Sequence, residues 1–235
     1  MTLHDQFDLN DIKIWGFGAV LLVGIVGTVG SGVDPQGAIA TVQKTVEQTS
    51  EKALDGLESL FSGGSDSLVA RTVGSAEGTR TPTGDRTSAY NGHTDPGNGV
   101  HNLGTFSYQH GASSPEEADK KQLERLRQQT ETLQKKAKDL GLELTQAELL
   151  NGIDLANQAP QAALDRGGYV ERLAEAKQQG KFGDEAILWA RTQSFIDPDT
   201  QQWNAPGLGN NADSIERDQQ RRMEAIAAAE EEFQR

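Results

Sequence analysis

The chain holds 235 residues, 35% of them hydrophobic, with 26 Gly, 7 Pro and no Cys. That length accommodates one ordinary domain plus appendages, and the composition excludes collagen, a disulfide scaffold and full disorder. Without cysteine there is neither a thiol nucleophile nor a Cys-ligated zinc or iron–sulfur site, and a formal charge of -13 repels the phosphate backbone, so nucleic acid is discarded as a partner.

Residues 1–13 form a short tail with Asp5, Asp8, Asp11 and Lys13. Ile14 to Val33 carries no charge, and its 20 residues give roughly 30 Å of helix, enough to span hydrocarbon. The segment reads as a transmembrane anchor, and its six glycines are better tolerated in a membrane helix than in an aqueous one. The acidic lead-in differs from the basic start of a secretory signal, although Ala38-Ile39-Ala40 has the small residues of a cleavage site. Lys13 on one side against Lys44 and Lys52 on the other leaves the orientation to be chosen by function.

From Gly37 to Phe61 the apolar residues Ile39, Val42, Val46, Ala53, Leu57 and Leu60 are spaced for an amphipathic helix, a stalk within the linker at 34–65. Ser62-Gly63-Gly64-Ser65 breaks that pattern and sets the domain boundary, so the folded domain is expected over 66–235. Ser65 or Asp66 then caps a short helix that ends at Glu77, because Gly78 supplies a C-terminal cap and Pro82 follows. Arg80 to Gly111 is rich in Gly, Thr, Asn, Asp and Pro, which suits short strands and tight loops.

Everything beyond reads helical. Ser114-Pro115-Glu116-Glu117 is a capping box with Pro at the first helical position. Leu123, Leu126, Thr130, Leu133, Ala137 and Leu140 follow at alternating spacings of three and four, a stripe that lays one helix face on a core. Further boxes run from Thr145 to Glu148 and from Asp213 to Glu216, with helices expected over 168–179 and 184–195 and a loop over 197–211. The expected class is therefore α+β, mainly helical, with a small β wing, preceded by a transmembrane helix.

Glu77 has the clearest chemical logic. The negative end of a helix and an apolar pocket both favour a protonated carboxyl, which acts as a general acid. Glycosidic cleavage ordinarily needs a second carboxylate, and the β region supplies Asp85 and Asp95. Asp95 is the better candidate because Pro96 and Gly97 fix a turn that aims its carboxylate. Arg80 and Arg86 are near enough in sequence to pair with either acid, which works against an acid role.

Ser75-Ala76-Glu77-Gly78-Thr79 ending a helix, the Gly/Asn/Asp-rich β region, and Asn102-Leu103-Gly104-Thr105-Phe106-Ser107-Tyr108-Gln109 ahead of a helical remainder together resemble the lysozyme-like superfamily. Phage-type muramidases carry a similar Ala-Glu-Gly-Thr around their acid, and chitosanases place a second acidic residue on the β region much as Asp95 lies here. The resemblance covers about residues 66–225. It implies a lysozyme-like helical domain with a β wing and a sugar cleft between them, with Glu77 as acid and Asp95 as base, water-orienter or charge stabiliser. In a lytic transglycosylase Asp95 is not required.

Sugar polymers are gripped by aromatic faces and planar amides. Thr79, Tyr90, Asn98, Asn102, Tyr108 and Gln109 in the β region, and Trp203 in the late loop, are the expected contacts, whereas Trp189 belongs to the core. No cofactor is expected. The competing chemistry is a zinc-dependent amidase or peptidase using His93, His101 and His110, at a spacing that matches no metal signature. A third reading is a non-catalytic glycan-binding or assembly module on the same fold. The leading expectation is a single-pass, membrane-anchored glycoside hydrolase with its C-terminal domain outside the cytoplasm, acting on a peptidoglycan or chitosan-like glycan.

Overall fold

The computed structural model describes residues 56–94 and 99–235. The expected anchor at 14–33, the tail before it, most of the linker, and both Asp95 and Asn98 lie outside the described residues. Among those described, no helix is long and apolar enough to cross a membrane.

Residues 56–61 are helical, and Leu57, Leu60 and Phe61 are buried in the same core as Leu68, Val69 and Val73. The packed unit accordingly runs from Leu57 to Arg235, starting ahead of the Ser62–Ser65 break where composition placed the boundary. The break is a tight turn inside the unit, with a 3-10 turn at Gly64–Asp66.

Helix α1 spans Leu68–Glu77. Its cap is Ser67, whose hydroxyl accepts from the Ala70 amide, rather than Ser65 or Asp66, which are taken up by the 3-10 turn. The wing follows. A 3-10 turn at Ser88–Asn91 leads into β1 (His93–Thr94), which pairs antiparallel with β2 (His101–Asn102) in the register His93 to Asn102 and Thr94 to His101. Isolated bridges from Arg80 to Arg86 and from Leu103 to Tyr108 complete this mostly looped region.

Helix α2 spans Pro115–Asp139, with Ser114 accepting from the Glu117 amide and Pro at the first turn. Leu126, Thr130, Leu133 and Ala137 are buried along one face, while Leu140 at the end of the stripe is exposed. The expected stripe is thus a core-facing surface of a domain helix. Helix α3 (Gln146–Gln158) starts with the Thr145–Glu148 capping box, both of its reciprocal bonds formed. It is followed by α4 (Pro160–Leu164), α5 (Tyr169–Gln178), α6 (Gly183–Gln193) and α7 (Ala212–Phe233). The last cap differs from expectation: Asn211, not Asp213, accepts from an amide, that of Ser214.

Every residue from Glu148 to Ala156 is buried, so α3 is the central helix of a mainly helical unit. Around it pack α1, α2, α4, α6 and α7, with α1 lying along α7 and α5 along α6. A helix enclosed on all sides should be apolar throughout, yet α3 carries Asn151 and Asp154 in its middle and Asn157 in its last turn. These polar residues define the site.

Candidate functional site

The site begins where α1 ends. Gly78 takes a left-handed conformation, φ 73°, and its N–H donates to the Gly74 and Ser75 carbonyls, closing the helix directly after Glu77. Thr79 and Arg80 then donate their amides to the Gly74 carbonyl, folding the chain back over α1. A Cβ at Gly74 would lie 2.8 Å from both Arg80 Cδ and Thr105 Cγ2, so glycine is what lets the wing approach so closely.

Beneath the wing a buried polar set fixes the approach. Asp119 of α2, fully buried, accepts from the Thr105 amide at 2.6 Å and from its hydroxyl at 2.8 Å, and Arg80 Nε donates to the same hydroxyl at 3.0 Å. Burial raises the Asp119 pKa, and the Thr105 bonds and Arg80 oppose that rise without cancelling it. Thr79 donates its hydroxyl to the carbonyls of Thr105 and Gly74. Tyr90, buried and hydrogen-bonded to Glu116, has its pKa pushed up to about 12 by burial and by the neighbouring carboxylates.

Glu77 emerges between this wing and the helical body. Its Oε1 accepts from Arg222 Nη2 of α7 at 2.6 Å and from Asn157 Nδ2 of α3 at 3.0 Å, and the side chain keeps 15% of its surface open. The pairing arginine is therefore Arg222, 145 residues away in sequence, so the carboxyl sits among polar donors rather than in the expected apolar pocket and has the kind of partner that works against an acid role. Arg80 instead serves the wing, and Arg86 lies near Glu116 and over the Tyr90 ring.

Arg222 is itself gripped from behind. Its Nε and Nη2 donate to the two oxygens of Asp154 at 2.9 and 2.7 Å, and Arg191 Nη2 of α6 reaches Asp154 at 2.6 Å. Arg191 also donates to the Asn151 carbonyl and side chain and to Gln219, so this fully buried guanidinium is widely satisfied. Burial alone would raise the Asp154 pKa, but the Arg222 and Arg191 guanidiniums outweigh it and hold the carboxyl below the ordinary aspartate range. Burial likewise pulls the Arg222 pKa down, and Asp154 and Glu77 more than reverse it. Two guanidiniums thus face two carboxyl groups, a set that is neutral when Glu77 is ionised.

The expected sugar contacts divide. Thr79, Tyr90 and Asn102 are buried and support the wing. Tyr108 is partly open and Gln109 is exposed, on the turn whose Phe106 carbonyl also accepts from Asn157. Trp203 packs against the hydrophobic core, as Trp189 does, and pairs through Ile196. His93 and His101 sit on adjacent strands, His110 stands edge-on to Tyr108, and among the described residues no group of three or more potential ligands gathers for a metal.

Sequence reasoning singled out Glu77 but not its partners Asn157 and Arg222, nor Asp154 and Arg191 behind them. A signal existed: Asp154 interrupts Leu149-Leu150-Asn151-Gly152-Ile153 and Leu155-Ala156, a placement that a buried helix tolerates only with a partner. Which cations answer it is a matter of tertiary packing. No family model, curated protein or solved structure matches the chain.

Proposed function

We propose that the chain is a membrane-anchored glycoside hydrolase of the lysozyme-like type. Its substrate is a β-1,4-linked amino-sugar polymer, peptidoglycan or a chitosan-like glycan, with Glu77 as general acid and Asp95 as the second carboxylate. The observation that supports this reading is the setting of Glu77: a carboxyl with 15% of its side-chain surface open, at the junction of wing and body, whose Oε1 is held by donors from two helices.

With Oε1 occupied by two N–H donors, a proton on Glu77 sits on Oε2. In cleavage that proton passes to the glycosidic oxygen, the bond from that oxygen to C1 breaks, and the leaving sugar departs as an alcohol. A water then adds to C1 and gives its proton to the second carboxylate. Negative charge develops on Glu77 as it releases its proton, 2.6 Å from Arg222, whose position is already set by Asp154. A donor held in place before the charge appears stabilises the transition state without reorganisation. Tyr108 and Gln109 on the adjoining rim are the proposed sugar contacts, and residues 14–33 the anchor that holds the domain outside the cytoplasm. The charge of -13 favours a neutral or cationic polymer over an anionic one.

The test is mass-spectrometric product analysis of the purified full chain in detergent, incubated with peptidoglycan and with chitosan, beside Glu77→Gln. New reducing ends from the wild type, lost by at least about 100-fold in a folded Glu77→Gln, are expected. Anhydro-sugar ends would make the enzyme a transglycosylase and remove Asp95 from the mechanism. Absence of cleavage of either polymer, or cleavage that survives Glu77→Gln, sinks the proposal and leaves the binding-module reading.

A further inference from the structure

Asn157 stands at a junction of three elements. From the last turn of α3 its Nδ2 donates to Glu77 Oε1 at 3.0 Å and to the Phe106 carbonyl of the wing at 3.3 Å. Its Oδ1 accepts from Gln122 Nε2 of α2 at 2.9 Å. The direction of this chain is forced. A carbonyl can only accept, and Glu77 Oε1 already accepts from the Arg222 guanidinium, so Asn157 must turn its nitrogen toward both. Its oxygen then faces Gln122, which must offer its own nitrogen in turn.

The consequence falls at the far end. Gln122 is 5% exposed, and its Oε1 is buried with no hydrogen-bond partner among the described residues. A buried acceptor without a donor is a liability that folding alone does not require, since an apolar side chain of similar length would fill the same space. On the wing turn, directly after the Phe106 carbonyl that Asn157 meets, Ser107 has φ 52°, a left-handed conformation uncommon for a residue with a Cβ. Orphaned acceptor and strained turn are joined by the same amide, one residue from the acid.

We propose that Gln122 and Asn157 form a one-way amide relay that positions Glu77, keeping Oε1 an acceptor and Oε2 the proton-bearing atom, and that fixes the wing rim to the acid through the Phe106 carbonyl. The relay rests on the hydrolase reading above. Both amides are positioning residues: they act on substrate through Glu77. The relay explains why an unsatisfied Gln122 oxygen is retained, because only the nitrogen-first orientation of Gln122 leaves Asn157 with its donor toward the acid.

The variants Asn157→Leu and Gln122→Met remove the donor at each stage while keeping volume. For Asn157→Leu, kcat is expected to fall by about tenfold or more with KM changed less than about twofold, since orientation of the acid and not sugar binding is lost. The charged groups facing Glu77 and its neighbours are Arg222 and Arg221 of α7, with Asp154 of α3 and Arg191 of α6 behind, and none of them is altered. Gln122→Met should unfold no earlier than the wild type yet lose kcat several-fold, an outcome that a purely structural glutamine does not give. Carbon-13 NMR of the Glu77 carboxyl, assigned by its absence in Glu77→Gln, reads the same relay without turnover and should show a displaced carboxyl resonance in Asn157→Leu. A wild type that cleaves neither polymer ends the hydrolase reading and the relay with it. A cleaving wild type whose kcat and carboxyl signal are unchanged in both folded variants overturns the relay alone.

Discussion

Asp154 is the residue on which most of the site depends. It accepts from Arg222 twice and from Arg191 once, and both guanidiniums are nearly or wholly enclosed. Removing it leaves two buried cations opposite a single carboxyl, Glu77. Breaking a buried ion pair in this way costs about 3–5 kcal/mol, because the surviving charge stays desolvated. Asp154→Ala is therefore expected to lower the unfolding free energy by that amount in equilibrium denaturant unfolding. The pH dependence has a definite sign. The Asp154 carboxyl is held below its ordinary value, so its contribution is complete above about pH 4, the range of an unfolded aspartate, and is lost as pH falls through the lowered value. Asp119 acts oppositely: its raised value makes folding more favourable on the acid side and costs stability as pH rises through it. The acid limb of wild-type stability should steepen below about pH 4 and flatten in Asp154→Ala, as followed by thermal melts at successive pH values. Glu77 itself was legible from the sequence, through its place at a helix end before Gly78. Its partners were not, because an arginine in a helical stripe of Glu and Gln reads as solvated surface until the opposing carboxylates are known.

The elements were legible where local chemistry decides them. Ser114-Pro115 and the Thr145–Glu148 box start helices as expected, and Gly78 ends one, since caps satisfy orphan amides and carbonyls within four residues. Two caps were displaced by neighbours of similar chemistry. Asn211 took the role expected of Asp213, and Ser67 that expected of Ser65 or Asp66, because the turn before each helix fixes which side chain meets the free amide. The wing is the least legible element. Its strands are only two residues each, and its shape comes from close approach rather than from strand pairing. Gly104 shows why. At φ 77° a Cβ there would meet Asp119 Oδ1 at 2.5 Å and the Pro115 carbonyl at 2.9 Å. Gly104→Ala adds backbone strain of about 1 kcal/mol or more to that clash, so a loss of about 2–4 kcal/mol is expected. If calorimetry finds Gly104→Ala as stable as the wild type, the wing does not seat on α2 in this way.

At the scale of the whole molecule, α3 is enclosed by its neighbours and the buried charges tie it to α6 and α7, so the unit should unfold cooperatively. The start of that unit is testable. Leu57, Leu60 and Phe61 are 3%, 5% and 2% exposed, and each buried large side chain removed costs about 2–5 kcal/mol. A chain beginning at residue 66 should therefore melt far below one beginning at 57, or fail to fold, as circular dichroism would show. Equal melting temperatures would restore the boundary to the Ser62–Ser65 turn. By itself the sequence determined the mainly helical class, most helix limits, the core-facing stripe of α2 and the position of Glu77, since periodicity and capping are short-range effects carried by neighbouring residues. Only the tertiary structure decided that residues 57–61 belong to the core and that Thr79, Tyr90 and Asn102 are buried. It alone brought Asn157 and Arg222 to Glu77 across 80 and 145 residues. Burial and charge pairing depend on which surfaces meet, and that is settled only when every helix has found its partners.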